Sequence, residues 1–495
     1  MLNIDEEVKK VLNEVGPGRM SSTAYDTAWV ARLGEIDKDL SDQAVNWLLE
    51  NQLPDGSWGA SDVFYYHDRV ISTLIAMIAL KEHGGNSHHQ AQVEKGVEAL
   101  ERITSDGEHS FASDLNGATV AFEMVAPILL AEAKELGIIK QQGERILGRL
   151  SNMRQEKMRK LAGYKINRYV TPAFSAEMAG IDGQHMLEVE NLQEANGSIG
   201  HSPSATAYFA LRVKPGDAKA IEYLKSSVAK NGGAPDLYPF DVYERAWVLW
   251  NLSLTDYFEG DKRSFANPIL NYLAAAWKPG QGIGFSKDYS VIDGDDTIIT
   301  CELFNKFGYP TDLNAILSFE EEEYFRCYQL EVGISPSVNI HALMTLRDFD
   351  YPLEHPSVRK VFQFLETQKS GDFWVDKWNS SSFYTSSHYV IACAKFKNAI
   401  AQPTVDWILK NQRADGSWGT FGSTTEETAY CLQALSIWSR HVRSVPQDVI
   451  RRGRTWLLEH YDLPHSPIWI GKGLYTPQWV SCSAILSAML LTVSY

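Results

Sequence analysis

The chain has 495 residues, 62 of them acidic against 46 basic, for a net charge of −16. That length exceeds one ordinary core and implies about two or three domains. The acidic balance argues against nucleic acid and anionic membrane as partners, since both select basic surfaces. The five cysteines (Cys301, Cys327, Cys393, Cys431 and Cys482) are scattered without C-x-x-C spacing. Neither a disulfide framework nor a zinc site is indicated, which fits a reducing cytoplasm.

In chain order, Ile4, Val8, Val11, Leu12 and Val15 make one face of an opening helix, which Gly16-Pro17-Gly18 stops. The N-terminal segment carries acidic residues where a signal peptide would carry basic ones. The longest apolar run, Val70 to Leu80, is too short to span a bilayer. A soluble cytoplasmic protein without stable membrane insertion is expected. Helix-length apolar periodicity recurs almost throughout, whereas strand signals are weak. The fold class expected is therefore all-α.

An internal repeat organises the chain. AVNWLLENQLPDGSWG (44–59) aligns without gaps to TVDWILKNQRADGSWG (404–419), with identity at ten of sixteen places. Looser copies are MLEVENLQEANGSIG (186–200) and FQFLETQKSGDFW (362–374). In each, an apolar helix ends near Gln, Asp-Gly or its equivalent supplies a turn, and an apolar residue folds back onto the helix. The Gln amide can satisfy backbone groups at the helix end. Such units predict stacked helix pairs closing into rings that serve as scaffold rather than touch substrate. The two best copies lie near opposite ends of the chain, so two rings are expected. Punctuation at Lys214-Pro215-Gly216-Asp217, Asn231-Gly232-Gly233-Ala234-Pro235 and Asp256 to Asn267 separates the halves. The boundary is placed near residue 262.

Residues 291–297 read Val-Ile-Asp-Gly-Asp-Asp-Thr, crowding Asp293, Asp295 and Asp296 beside apolar sequence. Taken alone, a D-x-D-D is more simply an exposed acidic turn. Held away from bulk water, however, three such carboxylates cannot all ionise, and repulsion raises at least one pKa. A carboxyl kept protonated near neutral pH is the Brønsted acid that protonating a carbon–carbon double bond requires. The heavy aromatic supply (14 Trp, 22 Tyr and 20 Phe) is ordinarily packing, but π faces lining a cavity also stabilise a cation.

A Q-x-x-D-G-S-W-G repeat with D-x-D-D downstream resembles the class II terpene cyclases and squalene–hopene cyclases. Ser22 to Ala31 (STAYDTAWVA), Ser202 to Ala207 (SPSATA) and Tyr238 to Arg245 (YPFDVYER) narrow the likeness to class II diterpene cyclases. Ser337-Val338-Asn339-Ile340-His341, Asp376-Lys377-Trp378 and Glu426-Glu427-Thr428-Ala429-Tyr430 look like bacterial halimadienyl and copalyl diphosphate synthases. The resemblance covers nearly the whole chain.

This likeness implies two double-ring α-helical barrels. Residues 1–19 would be the first helix of a β domain, 20–262 an inserted γ domain, and 263–495 the rest of the β domain with D-x-D-D. It implies cyclisation of geranylgeranyl diphosphate to a bicyclic halimadienyl, kolavenyl or copalyl diphosphate, with the diphosphate retained. Asp295 would deliver the proton, while Asp293 and Asp296 hold its geometry. The chain has no D-D-x-x-D motif of the ionising synthases. Trp378, Phe383, Tyr384 and Tyr389 are candidates for the cation-stabilising wall. Asn339, His341 and His388 could position the acid or a water, although single histidines on apolar helices are ordinarily core residues. Mg²⁺ is the implied cofactor, and Tyr66-His67-Asp68-Arg69 keeps only Asp68 of the family's acidic stretch. Lys165, Arg168 and Lys472 are candidate diphosphate partners. Where plant ent-copalyl diphosphate synthases place His and Asn to set a basic water, this chain has Phe174 and Asp236. Phe174 should prolong the cation, and Asp236 is the likeliest substitute base. A drimenyl-type cyclase on farnesyl diphosphate, a squalene-type triterpene cyclase and a non-catalytic helical-toroid binding protein are the alternatives, and a homodimer stays open.

Overall fold

The computed structural model describes residues 2–84, 87–105, 114–140, 146, 150–331, 333–396 and 399–493. Two kinds of helix build it, and the sequence distinguishes them. Outer helices bury a stripe: in Gln447–Glu459 only Ile450, Gly453, Trp456 and Leu457 are covered. Inner helices are covered all round, as Tyr66–Glu82 is from Tyr66 through Leu80, and a helix apolar on every side belongs inside a larger core.

Six inner helices close a ring in the second half of the chain. Gly294–Phe307 packs on Pro336–Asp348, then come Ser382–Ala394, Thr425–His441, Gln478–Leu491 and Asp241–Ser253, which returns to Gly294–Phe307. Ile4–Glu14, Asn267–Ala276, Leu313–Leu317, Pro356–Gln368, Gln402–Lys410 and Gln447–Glu459 pack around them. The first half repeats the plan with Ala24–Ala31, Tyr66–Glu82, Phe122–Glu135, Thr171–Ala179 and Pro203–Tyr208 inside. Each ring has its own apolar core. The expected double-ring, all-α architecture is the one observed. Asp241–Ser253, placed by sequence with residues 20–262, contributes Val242, Ala246 and Trp247 through Trp250 to the second core. The chain therefore changes core just before Asp241, where Asp256 to Asn267 had suggested a later change. Among the described residues no helix is long and apolar enough to cross a membrane.

The repeats are staples between helix pairs. Gln52 Nε2 donates to Gly56 O at 2.8 Å and to Gln92 O at 2.9 Å, while Trp58 Nε1 reaches back to Leu48 O at 2.8 Å. Gln412 and Trp418 repeat this on Gly416, Val449 and Ile408. In the looser copies Gln193 still bonds Gly197 O, and Trp374 still bonds Leu365 O. Gly416 has φ +97°, and a Cβ there would lie 2.8 Å from Arg452 O. Strain of that kind costs about 1–3 kcal/mol. Gly416→Ala should therefore lower stability in urea unfolding by about that amount. Gly422→Ala, with nothing within 4 Å of its Cβ and ordinary φ, should stay within about 0.5 kcal/mol of wild type.

Candidate active site

A cavity of about 620 Å³ lies between the two cores, with walls from both. The first half supplies Phe174, Ser175 and Asp236; the second supplies the three aspartates, Trp378, Tyr384 and the turn that joins strands Trp469–Ile470 and Leu474–Tyr475.

The D-x-D-D segment starts an inner helix. Asp293 is the N-cap of Gly294–Phe307, its extended backbone (φ −124°) letting Oδ1 accept from Asp296 N at 2.8 Å, as short acidic caps do. Gly294 is required because a Cβ would meet Arg326 O at 2.5 Å. Asp293 and Asp296 are buried, whereas the Asp295 side chain keeps 17% exposure. Burial pushes Asp293 up to about 7. Burial first, then the charges of Asp293 and Asp295, drives Asp296 well above the carboxylate range. Asp293 Oδ2 and Asp296 Oδ1 meet no N–H or hydroxyl donor, so the two carboxyls share a proton between themselves.

Behind Asp295 runs a chain of imidazoles. His341 Nδ1 lies 2.6 Å from Asp295 Oδ1, and His341 Nε2 lies 2.9 Å from His388 Nδ1. Burial first, with the neighbouring imidazole of His341 adding to it, holds His388 far below the usual imidazole range, so it is neutral. Trp247 packs 4.9 Å from His341 and stacks on His388, while Trp250 packs 4.9 Å from His388. The histidines therefore stand behind Asp295 instead of lining the cavity.

Other expected residues divide plainly. Trp378, Tyr384, Phe174 and Asp236 line the cavity. Trp378 N bonds Asp376 Oδ1 at 2.9 Å, and Asp376 Oδ2 takes the Ser335 hydroxyl and Ser337 N, so Asp376 sets the indole's place. Phe383 instead packs on Trp407 at 4.8 Å, and Tyr389 on Trp374 at 4.1 Å, both in the core. Asn339 is structural: its amide grips Phe325 N, Phe325 O and Ser335 O. Lys165 bonds His185 O and Arg168 bonds Gln193 O and Tyr169, away from the cavity wall. Lys472 is fully buried, its ammonium held by Phe174 O and Glu177 Oε1 with Ser202 and Ser204. The Lys472 ammonium is thereby committed within the protein and not free for diphosphate.

Asp68 does not fit a magnesium ligand. Its Oδ2 accepts from Ala60 N at 2.7 Å, and its Oδ1 from Leu474 N and Ser72 Oγ, both at 3.2 Å. Both oxygens are committed, and the Leu474 bond joins the halves.

Sequence reasoning missed Tyr243, Phe285, Tyr289, Tyr328, Trp469 and Tyr475 in the wall; Phe285 and Tyr289 stack at 4.1 Å. It also missed Lys157, Lys160 and Lys377, which line the cavity. Lys377 was legible beside Trp378; the others lie on a polar helix with no motif.

Residues 333–460 match the squalene-hopene cyclase C-terminal domain. A type B diterpene cyclase of Mycobacterium tuberculosis is 47% identical over 479 residues, covering 95% of this chain and 96% of that one. The chain belongs to the class II (type B) diterpene cyclases. An ent-kaurene synthase CPS/KS of Physcomitrium patens is 31% identical over 75% of the cyclase and 42% of its own length. The cyclase thus matches less than half of that plant relative. Among solved structures, an ent-copalyl diphosphate synthase from Streptomyces platensis shares 25% identity with TM-score 0.80, covering 99% of this chain and 98% of that one.

The raised Asp293 carboxyl has a signed consequence. Between about pH 4 and pH 7 the unfolded chain has released this proton while the folded cyclase retains it, so stability falls as pH rises. Asp293→Asn keeps the cap but removes the titration. Its melting temperature should drop less than that of wild type between about pH 5 and pH 8 in calorimetry.

Proposed function

We propose that the cyclase converts geranylgeranyl diphosphate to a bicyclic halimadienyl, kolavenyl or copalyl diphosphate, with Asp295 as the acid. The observation that carries this reading is the asymmetry of the triad: the middle carboxyl alone keeps exposure while its neighbours are sealed. If Asp295 Oδ1 accepts from His341 Nδ1–H, the proton sits on Oδ2, free for the terminal alkene. His388 then donates to His341 Nε2 and completes the tautomer. Such an acid is strengthened because the carboxylate it leaves is already hydrogen-bonded.

Protonation leaves a carbocation, and the aromatic rings around the cavity stabilise it by their π faces. The diphosphate keeps its bond to carbon and serves as an anchor. Lys157, Lys160 and Lys377 are the cations in the wall, and we assign the anchor to them. Lys377 Nζ is held at 2.6 Å by Glu331 Oε2 and Gly333 O, and Lys160 Nζ donates to Glu331 O at 3.1 Å. Lys160 and Lys377 therefore meet around residue 331, while Lys157 is ion-paired to Glu123. This anchor does not use Asp68, whose oxygens are taken. We also read the second ring, with Ile4–Glu14 and everything from Asp241 on, as the β domain, and the intervening ring as the γ domain.

Asp295→Asn should fold normally yet lose cyclisation by about 10²–10⁴-fold or more, since an amide cannot donate an acid proton. Normal turnover in that variant would sink the assignment. The terpene should enter hexane only after phosphatase treatment; free hydrocarbon without it would mean that diphosphate leaves. Lys160→Ala and Lys377→Ala should each raise KM more than they lower kcat, because the anchor binds ground and transition states alike.

A further inference from the structure

Glu426-Glu427-Thr428-Ala429-Tyr430 is a mark of the family that lies apart from the three aspartates. It opens the inner helix Thr425–His441. Glu427 is spent on helix starts, taking the hydroxyls of Ser381 and Thr424. Glu426 is placed differently. It is 1% exposed, and its Oε1 accepts from Trp469 Nε1 at 2.8 Å and from the Tyr430 hydroxyl. Its Oε2 has no bonded donor, and the Ser481 hydroxyl beside the carboxyl donates to Pro477 O at 3.2 Å.

Glu426 stands behind the cavity wall, and Trp469 is part of that wall. The indole meets two other wall residues edge to face, Tyr384 at 5.0 Å and Tyr243 at 6.1 Å between ring centres. Tyr384 in turn lies 4.4 Å from His388, the imidazole linked through His341 to Asp295. The charge of Asp295 also reaches Tyr384. These rings therefore wall the cavity near Asp295, with a buried carboxyl at their back.

Among the described residues no Lys, Arg or His pairs with Glu426. Burial raises it above the ordinary carboxylate range, and the bonds from Tyr430, Ser481 and Trp469 work against that rise. Burying a carboxylate with no counter-charge is costly. This one lies in the first turn of a helix, where an anion is favoured. The positive charge missing from the pair is one that protonating an alkene would create.

Resting on the function proposed above, we infer that Glu426 is a positioning residue for the first carbocation, acting through Trp469. A carboxylate bonded to the indole N–H polarises the ring, and its π face then attracts a cation more strongly. Across a dry wall the carboxylate's own charge adds to that attraction. The neutral alkene of bound substrate gains nothing from either, so the help comes in the transition state. The competing account is a plain structural one, in which Glu426 only fixes the ring of Trp469.

The test uses two analogues of geranylgeranyl diphosphate: one with its terminal alkene replaced by a tertiary ammonium, the other its uncharged carbon isostere. Wild type should bind the ammonium more tightly, read as a ratio of dissociation constants in calorimetry. Glu426→Gln keeps an oxygen for Trp469 and Tyr430 but carries no charge, and should shrink that ratio about tenfold. With geranylgeranyl diphosphate the same variant should lower kcat and leave KM nearly unchanged. A structural role would weaken both analogues alike, so an unchanged ratio in folded Glu426→Gln overturns the inference. Should that variant fail to fold, Trp469→Phe keeps a ring while cutting the link, and an unchanged ratio there overturns it equally. Wild type that cyclises the substrate yet shows no preference for the ammonium overturns it too. Wild type that leaves geranylgeranyl diphosphate uncyclised instead overturns the function proposed above.

Discussion

Three carboxyl groups within four residues can be withdrawn from water only if protons stay on some of them. The charged form of each is penalised by burial, and each ionised neighbour adds to the penalty. Asp293 and Asp296 meet that constraint by sharing a proton deep at the start of Gly294–Phe307, where the helix terminus supplies Asp296 N as a donor. Asp295 is left apart, gripped by His341 on one oxygen. The helix start, the glycine between the aspartates and the tryptophans behind the imidazoles all follow from keeping that arrangement dry.

The same economy recurs at the starts of other inner helices. Ser335, Ser381 and Thr424 cap Pro336–Asp348, Ser382–Ala394 and Thr425–His441. Each capping hydroxyl is itself bonded to a buried carboxylate: Ser335 to Asp376, Ser381 and Thr424 to Glu427. Hydroxyls thus satisfy helix ends and carboxylates at once. One product of this linkage is the placement of Trp378 through Asp376.

The two rings are joined at the turn between Trp469–Ile470 and Leu474–Tyr475. Asp68 accepts Leu474 N, Asp236 accepts Lys472 N, and Glu177 receives the Lys472 ammonium. Removing any one partner would strand a buried polar group. The cavity wall is therefore held by ionic contacts between the rings, while each ring is held by its own apolar core and its glutamine–tryptophan staples.

Much of this was legible because it is local. Periodicity and the repeated Gln, Asp-Gly and Trp determine helix pairs within a few residues of chain, and Asp293, Asp295 and Asp296 announce themselves by crowding. The histidines were visible as candidates, but their place behind Asp295 was not. Phe383 and Tyr389 sit on the same buried helix as Tyr384, and no periodicity separates core from cavity when every face is covered. Asn339, Asp68 and Lys472 have side chains suited to ligands, yet their hydrogen-bonding capacity is consumed by groups the fold brings against them, for Lys472 and at Leu474 for Asp68 from segments remote in sequence. The sequence by itself determined the ring-forming helices, the crowding of the three aspartates and the family. Tertiary structure alone decided which polar groups remain free, because satisfaction of a buried donor or acceptor depends on what the rest of the chain brings against it.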